Sequence, residues 1–175
     1  MELPKRENHA INTYELRKNL FRLISLFMGL CAILEDKEGF LEDLKSSVLF
    51  KEYPHLFEEE FSKLILEIAI NARVLDDLIK GDAKYMNLNA FKDAQPMGII
   101  DGELFYSPRE AINKIIHADY VRHDIRTDDV KPYYMPAMLL TGSKGRKEWI
   151  CEIYLLQLCR VLYDFAHEND RSFQK

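Results

Sequence analysis

Residues 56–81, LFEEEFSKLILEIAINARVLDDLIKG, are the segment that decides the fold of this 175-residue chain. Three consecutive glutamates open the segment, where negative charge stabilises the positive end of a helix. Lys80 and Gly81 close it, which is typical of a helix C-terminus. From residue 64 to residue 72 nearly every side chain is apolar. We therefore predict a helix that runs through the centre of the protein.

Four other segments are predicted to be helical. Residues 13–34 carry apolar side chains at steps of three and four, with Asn12 or Thr13 as the cap. Residues 38–53 form a shorter helix that stops before Pro54. A helix begins at Ser107, where serine, Pro108 and Glu110 match a capping box, and it is predicted to run until residues 124–132 break it. Residues 155–170 form a final amphipathic helix.

Two stretches are predicted to form β-hairpins. MGIIDGELFY, residues 97–106, places Asp-Gly between two short β-prone runs, which is the sequence of a tight turn. Residues 133–154 contain two β-rich runs around a Gly-Ser-Lys-Gly loop. The predicted fold is mainly α: one domain over residues 1–175, a bundle of about five helices with small hairpins around 98–106 and 133–154. Residues 170–175 are predicted to be a frayed tail.

Composition excludes several classes of function. A net charge of −5 argues against coating nucleic acid by bulk electrostatics, although a local basic patch stays open. The three separated cysteines indicate buried thiols in a reducing compartment. We expect that the charged N-terminus is not a signal peptide and that the apolar residues 20–34 are too short to span a bilayer. We expect a cytoplasmic protein with no membrane contact, no metal and no cofactor.

The predicted helix from Ser107 carries a polar stripe. At 100° per residue, Glu110, Asn113 and His117 fall on one side, beside Lys114 and opposite the apolar residues. One interpretation is a solvated face whose side chains pair with each other. The other is a site in which His117 titrates near neutral pH and Asn113 orients a ligand.

A second polar group interrupts the apolar helix of residues 56–81. Arg73 can reach Asp76 and Asp77 at helical spacing, which predicts structural ion pairs that tie this helix to a neighbour. The alternative is a carboxylate cluster that contacts His117 or a metal.

A third polar group surrounds the predicted tip of the second hairpin. Lys144, Arg146 and Lys147 cluster there, and Arg122 and Arg126 lie in the preceding segment. These side chains either decorate a solvated turn or contact a phosphate backbone.

The Asn113-x-x-x-His117 pattern, on a helix of a compact bundle, resembles the HEPN superfamily. The family motif is an arginine, a following polar residue that is often asparagine, and a histidine four to six residues after the arginine. Here Ile112 stands where the motif has arginine, and Arg109 lies further back. The resemblance implies a helical, dimeric protein and a metal-independent ribonuclease of toxin, CRISPR-linked or anti-phage systems. The same segment is also similar to segments of small bacterial proteins.

Two functions follow from these patterns. The first is a non-catalytic interaction module, a homodimer or a protein that binds a partner, in a bacterial defence or toxin–antitoxin-like system. The second is a HEPN-like ribonuclease with His117 as the acid–base group, Asn113 orienting it, and Arg109 neutralising phosphate. RNA is therefore a possible ligand of the chain.

Overall fold

The computed structural model describes residues 13–34, 48–125 and 136–170, which form four helices and one sheet. The helices are α1 (Thr13–Leu34), α2 (Val48–Ile79), α3 (Pro108–Ile116) and α4 (Leu155–Glu168), with a 3₁₀ turn at Leu88–Phe91. The strands are β1 (Gly98–Ile100), β2 (Glu103–Phe105), β3 (Tyr120–Ile125), β4 (Pro136–Lys144) and β5 (Lys147–Tyr154).

The predicted mainly-α class is wrong, because all five strands belong to one antiparallel sheet in the order β2-β1-β5-β4-β3. Both predicted hairpins exist, but they are not separate: β1 pairs with β5, with Gly98 opposite Ile153. Gly98 permits this approach, because a Cβ there would lie 1.9 Å from the Glu152 carbonyl oxygen. Pairing satisfies backbone groups that two isolated hairpins would leave open. The described residues therefore form an α+β fold.

Strand β3 replaces the end of a predicted helix. The helix from Ser107 ends at Ile116 with His117 as its C-cap, and the chain then enters β3. Tyr120 to Ile125 pair with Thr141 back to Pro136 in β4. The helical fold implied by the HEPN resemblance is therefore not what the described residues form. The resemblance itself stays a prediction that rests on Asn113 and His117.

The predicted count of about five helices is wrong, because the described residues form four, and α2 covers parts of two predicted helices. It runs unbroken from Val48 to Ile79 and includes Pro54, where we predict a stop. Proline in a helix interior costs about 3 kcal/mol. Each fully buried apolar side chain of this helix contributes about 1.5–3 kcal/mol, so the long apolar face outweighs that cost. Of the predicted helix 38–53, residues 38–47 lie outside the described part of the chain.

The centre of the fold is where the sequence predicts it. Ile68, Ala69 and Ala72 of α2 are completely buried. Helix α2 packs against α1 on one side and α3 on another, and α1 also packs against α4. The inner face of the sheet adds buried side chains from its two longest strands: Met138, Leu140, Cys151 and Ile153.

The burial predicted for the cysteines is confirmed. Cys31, Cys151 and Cys159 are all buried and none forms a disulfide. Burial raises the pKa of Cys151 and that of Cys159 to about 12, so both thiols stay protonated at neutral pH. These thiols are therefore part of the core.

No helix in the described residues is both long enough and apolar enough to cross a membrane.

Asp170, at the start of the predicted tail, is buried and forms a salt bridge with Arg17 of α1. The tail itself stays a prediction, because residues 171–175 lie outside the described part of the chain.

Candidate functional site

Helix α3 is short and strongly two-sided. Ser107 caps it, its Oγ accepting from the backbone N–H of Glu110 at 3.2 Å, and Pro108 occupies the first turn. Ala111, Ile112 and Ile115 are buried against the core. The other side of the helix is consequently free to present polar groups to a neighbouring space.

That space is a cleft of about 850 Å³ between α3, α2 and the β4–β5 hairpin. The tip of the β4–β5 hairpin forms the wall that faces α3. The residues that line the cleft are Arg73, Glu110, Asn113, Lys114, Ile116, His117, Ala118, Asp119, Ser143, Lys144 and Trp149. The predicted polar stripe of Glu110, Asn113 and His117 thus faces one cleft.

Arg73 of α2 brings a guanidinium to this cleft. Its Nη1 donates to Oδ1 of Asn113, and its Nε donates to Oδ2 of Asp77 at 2.8 Å. The predicted pair of Arg73 and Asp77 is present, but Asp76 pairs with a different arginine. An arginine therefore lies beside Asn113, although it comes from another helix and not from position 112.

Arg109, the predicted phosphate-neutralising residue, is engaged elsewhere. Its Nη1 donates to Oδ2 of Asp76, and its Nη2 donates to Oδ1 of Asp77 at 2.6 Å. Burial, and next the positive charge of Arg73, lower the pKa of Arg109. Asp76 is buried, and its second oxygen accepts from the backbone N–H of Leu88 at 2.7 Å. Arg109 does not line the cleft; it joins α3 to α2.

The floor of the cleft is built around Trp149. The ammonium of Lys114 lies over the indole, 4.0 Å from the ring centroid, a cation–π geometry. Gly142 makes room for the ring, because a Cβ there would lie 2.2 Å from Trp149 Cζ2 and 2.9 Å from the His117 carbonyl oxygen. Lys114 thus has a fixed position over an aromatic surface, with no carboxylate partner among the described residues.

His117 is an exposed residue at the end of α3. Its backbone N–H donates to the carbonyl oxygen of Asn113 at 3.1 Å, and the residue lines the cleft. Asp119 follows, and its N–H donates to the Thr141 carbonyl oxygen at 2.9 Å, which turns the chain into the sheet. His117 is accessible to a ligand in the cleft.

The five predicted phosphate-binding cations do not form one patch. Lys144 lines the cleft, and Arg146 and Lys147 are exposed on the same hairpin. Arg122 pairs in register with Leu139, so its side chain lies on the opposite face of the sheet from Leu140. Arg126 lies outside the described residues.

Three cationic side chains and two carboxylates line the cleft. Arg73, Lys114 and Lys144 are cationic, while Glu110 and Asp119 are the carboxylates in its lining. Asp119 also accepts from the Ser143 hydroxyl at 3.3 Å. In the described residues, no group of three or more His, Cys, Asp or Glu side chains is placed to hold a metal ion. The arrangement is suited to an oxyanion held by hydrogen bonds and charge.

Sequence reasoning missed Trp149 and Gly142. Trp149 is the single tryptophan of the chain and lies on a strand where alternate residues are buried, which is the signal of an inward-facing aromatic. Gly142 lies inside the predicted loop, where a glycine is expected for a turn. The turn is instead at Gly145, whose φ is +67°.

Comparison with known proteins adds no relative to these observations, because no protein family, no curated protein and no solved structure matches the chain.

Proposed function

We propose that this protein is an interaction module that holds the phosphate backbone of an RNA strand in the cleft beside α3. The observation that carries the proposal is the convergence of Arg73, Lys114 and Lys144 on one open cleft. Contacts between Lys or Arg side chains and phosphates supply most of the part of nucleic-acid affinity that does not depend on the nucleotide sequence.

The overall charge is compatible with this local site. The chain carries a net charge of −5, so binding depends on the few cations of the cleft and not on the whole surface. Arg146 and Lys147 lie next to the cleft on the same hairpin and extend the cationic path. Neutralising two or three phosphates gives a shallow salt dependence, with a slope of about −0.7 per contact on a single strand.

Fluorescence anisotropy with a labelled single-stranded RNA tests the proposal. Lys144→Glu removes one cation from the cleft, and we expect the dissociation constant to rise at least tenfold. Lys51→Glu makes the same change of net charge on an exposed residue of α2, away from the cleft lining. Equal weakening by both variants, or no binding by the wild type, would overturn the proposal.

A second candidate function is metal-independent RNA cleavage. It is favoured by one observation: Asn113, His117 and Arg73 line the same cleft, so a guanidinium lies beside the pair despite Ile112. In this mechanism His117 takes the proton of a 2′-hydroxyl, whose oxygen attacks the adjacent phosphorus. The 5′-oxygen leaves and takes a proton from water, giving a 2′,3′-cyclic phosphate and a 5′-hydroxyl, while Arg73 stabilises the charge on the phosphorus oxygens.

Cleavage of an end-labelled RNA in the presence of EDTA tests this candidate. We expect His117→Ala to abolish cleavage and to leave RNA affinity within about twofold, because one exposed side chain contributes little to binding. A substrate with a single 2′-deoxyribose should resist cleavage at that position. Absence of cleavage by the wild type removes the catalytic candidate and leaves the binding proposal standing.

The homodimer, the cytoplasmic location and a role in bacterial defence stay predictions. Light scattering of the purified chain tests the first of them. A mass near 20.6 kDa across the micromolar range would contradict the dimer.

A further inference from the structure

The Asn113 amide has a defined orientation. A guanidinium carries only hydrogen-bond donors, so the Asn113 atom that faces Arg73 Nη1 must be the oxygen. The other amide atom, Nδ2, then points away from Arg73 and has no acceptor among the described residues. Because Asn113 lines the cleft, its two N–H groups are available there.

The Arg73 side chain is held in place by a carboxylate on its own helix. Its Nε donates to Asp77 at 2.8 Å, and Asp77 also accepts from Arg109 at 2.6 Å. Arg109 is anchored on the buried Asp76. The guanidinium therefore bridges the Asp77 carboxylate and the Asn113 oxygen, so a flip of the amide would set N–H groups against N–H groups.

The neighbouring side chain on α3 adds an ammonium. Lys114 lies over the Trp149 ring at 4.0 Å, and the ring does not neutralise its charge as a carboxylate would. Two carboxylates line the same cleft: Glu110 is exposed, and Asp119 accepts from the Ser143 hydroxyl. Neither forms a salt bridge with Lys114 in the described structure.

We infer that Arg73 is a positioning residue that fixes the Asn113 amide, so that Asn113 Nδ2, Lys114 Nζ and Arg73 form a subsite of donors for a single phosphate group. The inference rests on the proposed function, since it names the ligand group that the cleft takes. A phosphate oxygen only accepts hydrogen bonds, so a site made of donors favours it over a ligand group that also donates. This subsite assigns Asn113 a binding role that does not require catalysis.

The chain's single tryptophan makes the subsite observable. Trp149 lies under Lys114, so its fluorescence reports this region alone. Inorganic phosphate is titrated into the full chain at pH 8 and constant ionic strength, with chloride as the balancing anion. We expect a saturable change in Trp149 emission with phosphate and none with chloride. A linear response, equal for the two anions, would overturn the inference.

Asn113→Asp is the decisive variant. A carboxylate at position 113 still accepts from Arg73, so the fold is preserved, but it replaces two donors with an acceptor and adds a negative charge. Phosphate affinity should fall at least tenfold. Asn87→Asp is the matched control, because Asn87 is exposed and its side chain does not cap the 3₁₀ turn. Equal affinities of the two variants would refute the assignment.

Arg73→Lys separates positioning from charge. Lysine keeps the positive charge, but its single ammonium lacks the planar guanidinium geometry in which Nε contacts Asp77 and Nη1 contacts Asn113. We expect phosphate affinity to fall about threefold to tenfold, with the thermal unfolding midpoint within a few degrees of the wild type. An unchanged affinity would mean that Arg73 acts through its charge only and would sink the positioning role.

RNA binding, measured on the wild type and the same variants, distinguishes failure of the phosphate subsite from failure of the proposed RNA binding. If phosphate does not bind but RNA binds with sensitivity to Lys144→Glu, the cleft functions and the phosphate subsite is wrong. If phosphate binds with sensitivity to Asn113→Asp but RNA does not bind, the subsite is supported and RNA is the wrong ligand. Loss of both removes both proposals.

Discussion

Two polar networks on α2 and α3 are linked through Asp77, and they differ in how completely their groups are paired. Around Asp76 both carboxylate oxygens are occupied, one by Arg109 and the other by the Leu88 N–H at 2.7 Å. Around Asn113, the donors Nδ2 and Lys114 Nζ lack acceptors among the described residues. The paired network is typical of a structural joint, and the incompletely paired one is typical of a site that awaits a ligand.

The largest effect should come from breaking the paired network. Asp76 is only 2% exposed, so Asp76→Ala removes the buried acceptor of Arg109 Nη1 and of the Leu88 N–H, and Arg109 keeps only its contact with the exposed Asp77. Removing one member of such a pair costs about 3 kcal/mol. Urea denaturation followed by circular dichroism measures this loss of unfolding free energy.

Asp77→Ala is the control within the same network. The Asp77 side chain is 47% exposed, so water and salt screen its pairs with Arg73 and Arg109. Its removal should cost at most about 1 kcal/mol. If the two variants were equally destabilised, Asp76 would not be the anchor, and the contrast between the networks would fail.

A smaller effect is expected from the floor of the cleft. In Gly142→Ala, the new methyl group would lie 2.2 Å from Trp149 Cζ2, so the indole must shift. Overpacking of this kind costs about 1–3 kcal/mol. We expect a shift of the Trp149 emission maximum and a weaker response to phosphate, measured by fluorescence of the folded variant.

Gly29→Ala provides the matched glycine control. Gly29 lies inside α1, and the nearest atom to an added Cβ is the Tyr53 hydroxyl oxygen at 3.9 Å, an ordinary contact. Alanine is favoured over glycine in a helix interior by up to about 1 kcal/mol. An unaltered Trp149 spectrum is expected here, and an unaltered spectrum in Gly142→Ala would contradict the packing argument.

Local signals in the sequence account for the features that depend on neighbours along the chain. The apolar run of α2 predicts the buried centre, and Asp101–Gly102 predicts a tight turn, where the structure has positive φ at both residues. Ser107 predicts the cap of α3. Each of these depends on side chains only a few residues apart.

Features that depend on distant contacts could not be read from these patterns. The pairing of β1 with β5 joins residues about fifty positions apart, and it needs a residue without a Cβ at position 98. Arg73 and Asn113 are 40 positions apart, so spacing along one helix could not place an arginine beside Asn113. The sequence predicts only one wall of the cleft, the polar stripe of α3, because the facing wall comes from the β4–β5 hairpin.

The smallest expected effect comes from Ser107, which caps the helix that carries both Arg109 and Asn113. Ser107 Oγ accepts from the Glu110 N–H and also contacts Asn89 Oδ1 at 3.2 Å, so Ser107→Ala removes the cap of α3 at a cost of about 1 kcal/mol. Ser143→Ala, at an exposed strand position, should stay within about 0.5 kcal/mol of the wild type.

Fraying of α3 begins at its first turn, which holds Arg109, whereas Asn113 lies a turn further along. Thermal unfolding of Ser107→Ala should therefore show the lost stability, while phosphate titration of the folded protein should give an affinity within about twofold of the wild type. A larger loss of phosphate affinity than of stability would mean that the cleft depends on the first turn directly. The two networks would then act as one unit, and the open donors would not be independent of the joint that holds the helices together.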